Sequence, residues 1–203
     1  MNMKNKSTLF LVQAALIAAV YVVLTLVFAP FSYGEIQVRI SEALTILPFF
    51  TPAAIPGLFV GCILANLLGG AIPLDIAFGS IATLIGAVFT YKLRNSNKWL
   101  APVPPIVANA VLVPFVLRYG YSVNLPIPLM MLTVGAGEII SCGIFGMVLL
   151  TALSKYKNTL FGKQAAAKYF FHFANPGQRF LCSSLPGFFS LFFLFFKKVS
   201  HFH

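Results

Sequence analysis

Acidic side chains are nearly missing: the chain has four, Glu35, Glu42, Asp75 and Glu138, beside 14 lysines and arginines in 203 residues. A lone aspartate excludes the paired aspartates of an intramembrane protease. Histidine is absent before His172, His201 and His203, which removes HExxH metal sites and histidine-based triads from the body of the chain. No GxxxxGK[ST] phosphate loop occurs, so ATP hydrolysis by that route is excluded. The three cysteines, Cys62, Cys142 and Cys182, lack CxxC spacing and indicate neither a disulfide framework nor a zinc site. The chain is therefore not expected to be an enzyme.

What fills the sequence is hydrocarbon. It is 59% hydrophobic and 9% charged, with a mean hydropathy of +0.91, whereas soluble domains carry about a quarter charged residues. An all-α membrane protein follows, with room for about six helices of about 20 residues across a hydrocarbon core of about 30 Å. Apolar runs bounded by Pro, Gly or charge predict six spans, at 9–29, 36–51, 55–70, 74–92, 100–118 and 128–153, forming one bundle within 1–162. The basic front before the first run resembles a signal peptide. That run is too long for one, so it is expected to stay as the first transmembrane helix.

The net charge of +10 is scattered over loops and termini, which points to topology and not to a nucleic-acid partner. Lys4 and Lys6, then Lys92, Arg94 and Lys98, then Lys155, Lys157 and Lys163 fall on one side of a six-span bundle. The positive-inside rule puts that side, and both termini, in the cytoplasm. The second span is short, ends in Pro48 and is expected to tilt or cross partly. Prolines 102, 104, 105 and 114 predict a kinked fifth span lining a cavity. Residues 163–203 form a Phe-rich tail whose apolar run at 185–196 is too short to span, predicting a surface-associated or disordered segment. No function is assigned to it, and a chain ending at Gly162 is expected to keep whatever activity the bundle has.

Carboxylates are costly in hydrocarbon and mark functional sites there. At about 1.5 Å per residue, Arg39 and Glu42 fall near the outer start of the second span, Asn66 at the outer end of the third, Asp75 at the outer start of the fourth and Arg118 at the outer end of the fifth. Asn109 and Glu138 fall about halfway across by the same rise. Together these residues can line a pocket opening outward.

Local explanations compete. Asp75, just after Pro73, can cap the next helix. Glu35, Arg39 and Glu42, spaced by four and three, can pair along one helical face, the preferred reading for Glu35. Asn66 and Asn109 can serve as interhelical hydrogen-bond glue. Glu138 lies in Gly135-Ala136-Gly137-Glu138-Ile139-Ile140, where an acid needs a buried partner or a ligand. In the first helix Ala14 with Ala18, and Ala15 with Ala19, form small-xxx-small pairs, which internal packing alone can explain.

Ile36-Gln37-Val38-Arg39-Ile40-Ser41-Glu42-Ala43-Leu44, Pro56-Gly57-Leu58 and Gly61-Cys62-Ile63-Leu64-Ala65-Asn66, followed by Asp75, resemble the QueT family, substrate-binding S components of energy-coupling factor (ECF) transporters. The resemblance covers about residues 8–160 and not the tail. It implies a multi-pass protein of a bacterial plasma membrane that captures queuosine precursors, the 7-deazaguanines. It also implies partners: an EcfT transmembrane subunit meeting Ala14, Ala15, Ala18 and Ala19, and two ATPases that consume the ATP, leaving this chain without a cofactor.

Against such a ligand, Glu138 or Glu42 can accept from the base edge and Arg118, Asn109 or Arg39 can donate to its carbonyl. Phe31, Tyr33 or Phe115 can stack on the ring. A cationic aminomethyl group would favour Asp75 as a second acid, with Asn66 completing the set. Two other readings stay open: a stand-alone proton-coupled transporter using Glu138 or Asp75, and a scaffold subunit whose acids pair with Arg39 and Arg118.

Overall fold

A computed structural model describes residues 3–28 and 39–155. Phe31, Tyr33, Glu35 and the Phe-rich tail lie outside the described residues, as does the expected boundary at 162. Residues 1–151 make one compact unit. A second unit begins at Ala152, and only its first residues, to Lys155, are described.

No strand occurs among the described residues, in keeping with the expected all-α bundle. The helices are α1 (Met3–Val27), α2 (Ala54–Leu68), α3 (Pro73–Lys92), α4 (Val103–Tyr119), α5 (Ile127–Glu138) and α6 (Gly146–Lys155). A 3-10 helix, Ile40–Phe49, precedes α2, and a π-helical segment, Ile139–Phe145, joins α5 to α6. Among the described residues, four stretches are long and apolar enough to cross a membrane: Ser7–Val27, Pro73–Asn95, Lys98–Tyr119 and Ile127–Lys155. The protein is thus a multi-pass membrane protein. The second and third expected spans are the short ones, of 10 and 15 residues. At about 1.5 Å per residue even the longer falls below the hydrocarbon thickness.

Proline sets where helices begin. Pro73 occupies the first turn of α3, where its missing N–H costs nothing. The expectation of a fifth span kinked by four prolines is corrected in the same way. Pro102 is the N-cap of α4 and Pro104 and Pro105 fall in its first turn, so only Pro114 lies in the helix interior.

Helices adjacent in sequence pack side by side: α1 with α2, α2 with α3, α3 with α4 and α4 with α5. The 3-10 helix touches α1, α2, α3 and the π segment, and Ser41 to Pro48 are all buried. It is the middle of the bundle. One seam is unusually close. A Cβ placed on Gly57 of α2 would lie 2.7 Å from the Ala14 carbonyl oxygen, and one on Gly61 would lie 3.0 Å from Ala18 Cα. Glycine permits that approach, as small residues do between membrane helices.

Candidate functional site

Two irregular helices carry the buried acids. Ten residues is long for a 3-10 helix, whose runs seldom exceed about four. Its side chains three apart eclipse, which stacks Thr45 on Glu42, and the Thr45 hydroxyl donates to the Glu42 carbonyl at 2.6 Å. The facing wall turns π-helical immediately after Glu138, the kind of widened turn that recurs at functional sites. Irregular backbone at membrane depth is tolerated where protein encloses it or where it lines a cavity. Ser41 to Pro48 of the 3-10 helix are all buried, while the π segment buries Ser141 and Cys142 and leaves Ile139, Ile140 and Ile144 exposed.

The result is a buried pair of carboxylates. Glu42 is 1% exposed and Glu138 5%, and one carboxylate oxygen from each lies with Cys142 Sγ in a set whose members are all within 4.8 Å. Tyr21 of α1 donates its hydroxyl to Glu42 Oε1 at 2.5 Å. Asn109 of α4 donates to Glu138 Oε1 at 3.0 Å. Cys142 lies 3.2 Å from Glu138 Oε2 and 3.3 Å from the Glu42 carbonyl, with Thr45 Oγ1 3.4 Å away. Glu42 Oε2 and Ser141 Oγ are buried without a protein hydrogen-bond partner. These donors are neutral groups, and oxygen and thiol ligands in this arrangement can also hold a cation.

A second cluster sits where α3 begins. Arg39 lies 3.4 Å from Asp75 Oδ2 in a salt bridge, and Tyr121, in the loop after α4, donates to the same oxygen at 3.1 Å. Burial first, and then the Asp75 charge, raises the Tyr121 phenol above its ordinary value, so it stays the donor. Asn66 reaches Cys62 Sγ at 3.5 Å. A Cβ on Gly79 would meet both Asp75 and Asn66, at 3.2 and 3.4 Å, which places those two side chains beside each other.

Several expectations change. Asp75 does not cap α3, because Ile72 is the N-cap and no side chain bonds there; Asp75 is held by Arg39 and Tyr121 instead. Arg39 therefore reaches across to α3, where pairing with Glu42 along one helix was expected. Glu42 and Glu138, expected at different depths, lie side by side because the 3-10 helix runs into the middle of the bundle. Phe115 is 42% exposed on the bundle surface, away from a stacking position over the acids. Arg118 is exposed and donates to the Val123 carbonyl at 3.1 Å. It lines a surface cleft with Tyr119, Asn124, Leu125, Pro126 and Ile127, none of which belongs to the buried clusters.

The four alanines of α1 split. Ala14 and Ala18 are buried against α2, while Ala15 and Ala19 are exposed among the described residues. Sequence reasoning missed Tyr21, Thr45, Tyr121 and Cys142. The available signals were a phenol inside the apolar α1 run and a cysteine four residues after Glu138.

Compared with known proteins, residues 11–155 match the family described as QueT transporter. The queuosine precursor transporter QueT of Lactococcus lactis subsp. cremoris is 36% identical over 103 residues. That stretch is 48% of this chain and 60% of the relative, so less than two thirds of the relative's length is matched. No solved structure matches the chain. Tyr21, Arg39, Glu42, Asp75, Asn109, Tyr121, Glu138 and Cys142 all fall inside the family match.

Proposed function

This chain belongs to the QueT transporter family, and on that premise we propose that it is the membrane-embedded substrate-binding subunit of an ECF-type transporter, capturing a 7-deazaguanine queuosine precursor outside the cell. The observation that carries this reading is the buried Glu42–Glu138 pair with Asn109 at its side. A deazaguanine presents a ring N–H and an amino group on one edge, which a carboxylate accepts as a bidentate pair, and a neighbouring carbonyl that needs a donor. Glu138 takes the edge and the Asn109 amide the carbonyl. Both groups are shielded from water, where such hydrogen bonds discriminate most between ligands.

Uptake then depends on other chains. This sequence has no phosphate loop, so ATP is hydrolysed by two partner ATPases, coupled through an EcfT subunit that docks on the uncovered Ala15 and Ala19 face of α1. The test is uptake of labelled precursor by cells making this chain with and without the partner subunits. Partner-dependent uptake is expected. Uptake that needs no ATPase and collapses with a protonophore would assign Glu138 to proton carriage instead. A chain that no nucleobase stabilises against heat would leave its acids a structural job.

A further inference from the structure

We infer that the connection between α3 and α4 holds the headgroup of an anionic phospholipid, with the Arg94 guanidinium gripping its phosphate. This site is separate from the buried acids and does not depend on the nucleobase reading. Lys92, Arg94 and Lys98 fall within seven positions, and every residue from Arg94 to Leu100 is exposed. Among the described residues the acids Glu42, Asp75 and Glu138 are buried, and no ion pair joins any of them to these three cations. Asp75 begins the far end of α3, about 25 Å from Lys92 at about 1.5 Å per residue. Lys92, in the last turn of α3, answers the negative end of that helix. Arg94 and Lys98 have no counter-charge among the described residues.

Arg94 is held in a way that suits a phosphate. Its guanidinium carbon lies 3.9 Å from the centre of the Tyr91 ring, three positions earlier. A guanidinium over a ring is bound through its face, so the N–H groups along its edge stay open to a bidentate acceptor. Lys92 lies over Phe89 at the same spacing, with Nζ 5.3 Å from the ring centre. The connection beneath them is fixed. The Thr90 hydroxyl donates to the Ala101 carbonyl at 3.0 Å, both residues being buried, and a Cβ on Gly86 would lie 2.8 Å from Pro105 Cα. The Asn97 side chain accepts from the Trp99 backbone N–H at 3.3 Å and holds that turn. Groups placed in advance lower the ordering cost of binding.

Position selects the source of the phosphate. Pro73–Asn95 and Lys98–Tyr119 are each long and apolar enough to cross a membrane, so the residues between them lie at a membrane surface. Phe89 is 51% exposed, Trp99 65% and Leu100 42%, and such side chains suit the boundary between headgroups and acyl chains better than open water. A lipid meets both needs at once, with a phosphate for Arg94 and hydrocarbon for the exposed apolar side chains. A soluble phosphate meets only the first. The headgroup must carry net negative charge, because the choline of a zwitterionic lipid already neutralises its phosphate.

Trp99 is the single tryptophan of the chain, so its fluorescence reports on this connection alone. The purified full chain is placed in vesicles that mix ordinary lipid with phosphatidylglycerol or phosphatidylcholine brominated high on the acyl chains, and quenching of Trp99 measures the relative occupancy of each. Phosphatidylglycerol is expected to be favoured about fivefold or more, the effect of one cation near an anionic surface. Arg94→Gln should remove most of that preference. Arg94→Lys keeps the charge but loses the planar fork, and should lower the preference nearly as far. Equal quenching by the two lipids in the unmodified chain overturns the inference. Full preference in Arg94→Lys overturns it as well, since a diffuse positive field would then account for the selectivity. Loss of the preference on adding excess glycerol phosphate would make this a soluble-phosphate site and overturn the lipid assignment. The comparison of lipids is made on the unmodified chain, so it holds even where a variant fails to fold.

Discussion

Asn109 Nδ2 lies 3.0 Å from Glu138 Oε1, joining α4 to the last residue of α5. That contact fixes one carboxylate oxygen of Glu138 and orients the amide beside it, so the proposed edge acceptor and the proposed carbonyl donor are held together. Glu138→Gln keeps the shape and can still accept from Asn109, but loses the charge. Affinity for the precursor is expected to fall about tenfold to a hundredfold, the range for hydrogen bonds to charged groups. Calorimetric titration measures it, with a thermal melt to establish folding. Unchanged affinity would remove Glu138 from the site.

The Arg39–Asp75 pair makes a different kind of claim, because both side chains are buried and each belongs to a separate element. A double-mutant cycle with Arg39→Gln and Asp75→Asn isolates their coupling from the cost of each change alone. Contacting buried charges should give a coupling of about 0.5–3 kcal/mol in the thermal or denaturant midpoint. Tyr121→Phe should cost less, about 1 kcal/mol, since it deletes one hydrogen bond at a partly exposed phenol. Additive single effects in the cycle would show that the 3.4 Å contact contributes nothing to stability.

Glu138 was legible in the sequence because an acid among Gly135, Ala136 and Gly137 has no charged partner nearby in the chain. Its neighbour Glu42 was misplaced for a physical reason. Treating Ile40–Phe49 as the start of an α-helical span puts Glu42 at the membrane edge, and nothing in its composition announces a 3-10 helix turned into the bundle. The partners of Glu42 were hidden for another reason. Tyr21 is 21 positions from Glu42, and Cys142 is 100 positions from it, so only tertiary packing brings them together. Burial along α1 was equally hidden, since lipid and protein neighbours are both apolar and periodicity separates them poorly. The long spans needed no such detail and followed from run length alone.

The α1–α2 seam predicts a contrast between two identical substitutions. In Gly57→Ala the new methyl would sit 2.7 Å from the Ala14 backbone oxygen, which has no flexible side chain to yield. Overpacking of this kind costs about 1–3 kcal/mol. In Gly135→Ala the methyl would meet only Ala110 Cβ, at 3.7 Å, an ordinary contact. That variant should stay within about 0.5 kcal/mol of the original protein, as benign substitutions do. Thermal melts of the two variants side by side decide it, and equal melting temperatures would mean that α1 and α2 are not closely packed at Gly57.

The alanines on α1 separate folding from assembly. Ala18 is 8% exposed and packs on Gly61, so Ala18→Leu should destabilise the chain by about 1–3 kcal/mol through overpacking. Ala15 is exposed, one residue round the helix from Ala14, and none of the described residues buries it. Ala15→Leu should leave the melting temperature and precursor affinity unchanged, because the added side chain meets only surroundings as apolar as itself. If that face receives a coupling subunit, the same variant should lose co-purification with the partners and partner-dependent uptake together, since close helix approach needs small residues. Loss of ligand binding in Ala15→Leu would instead mean that this face shapes the site. Normal uptake would move the docking surface elsewhere on the bundle.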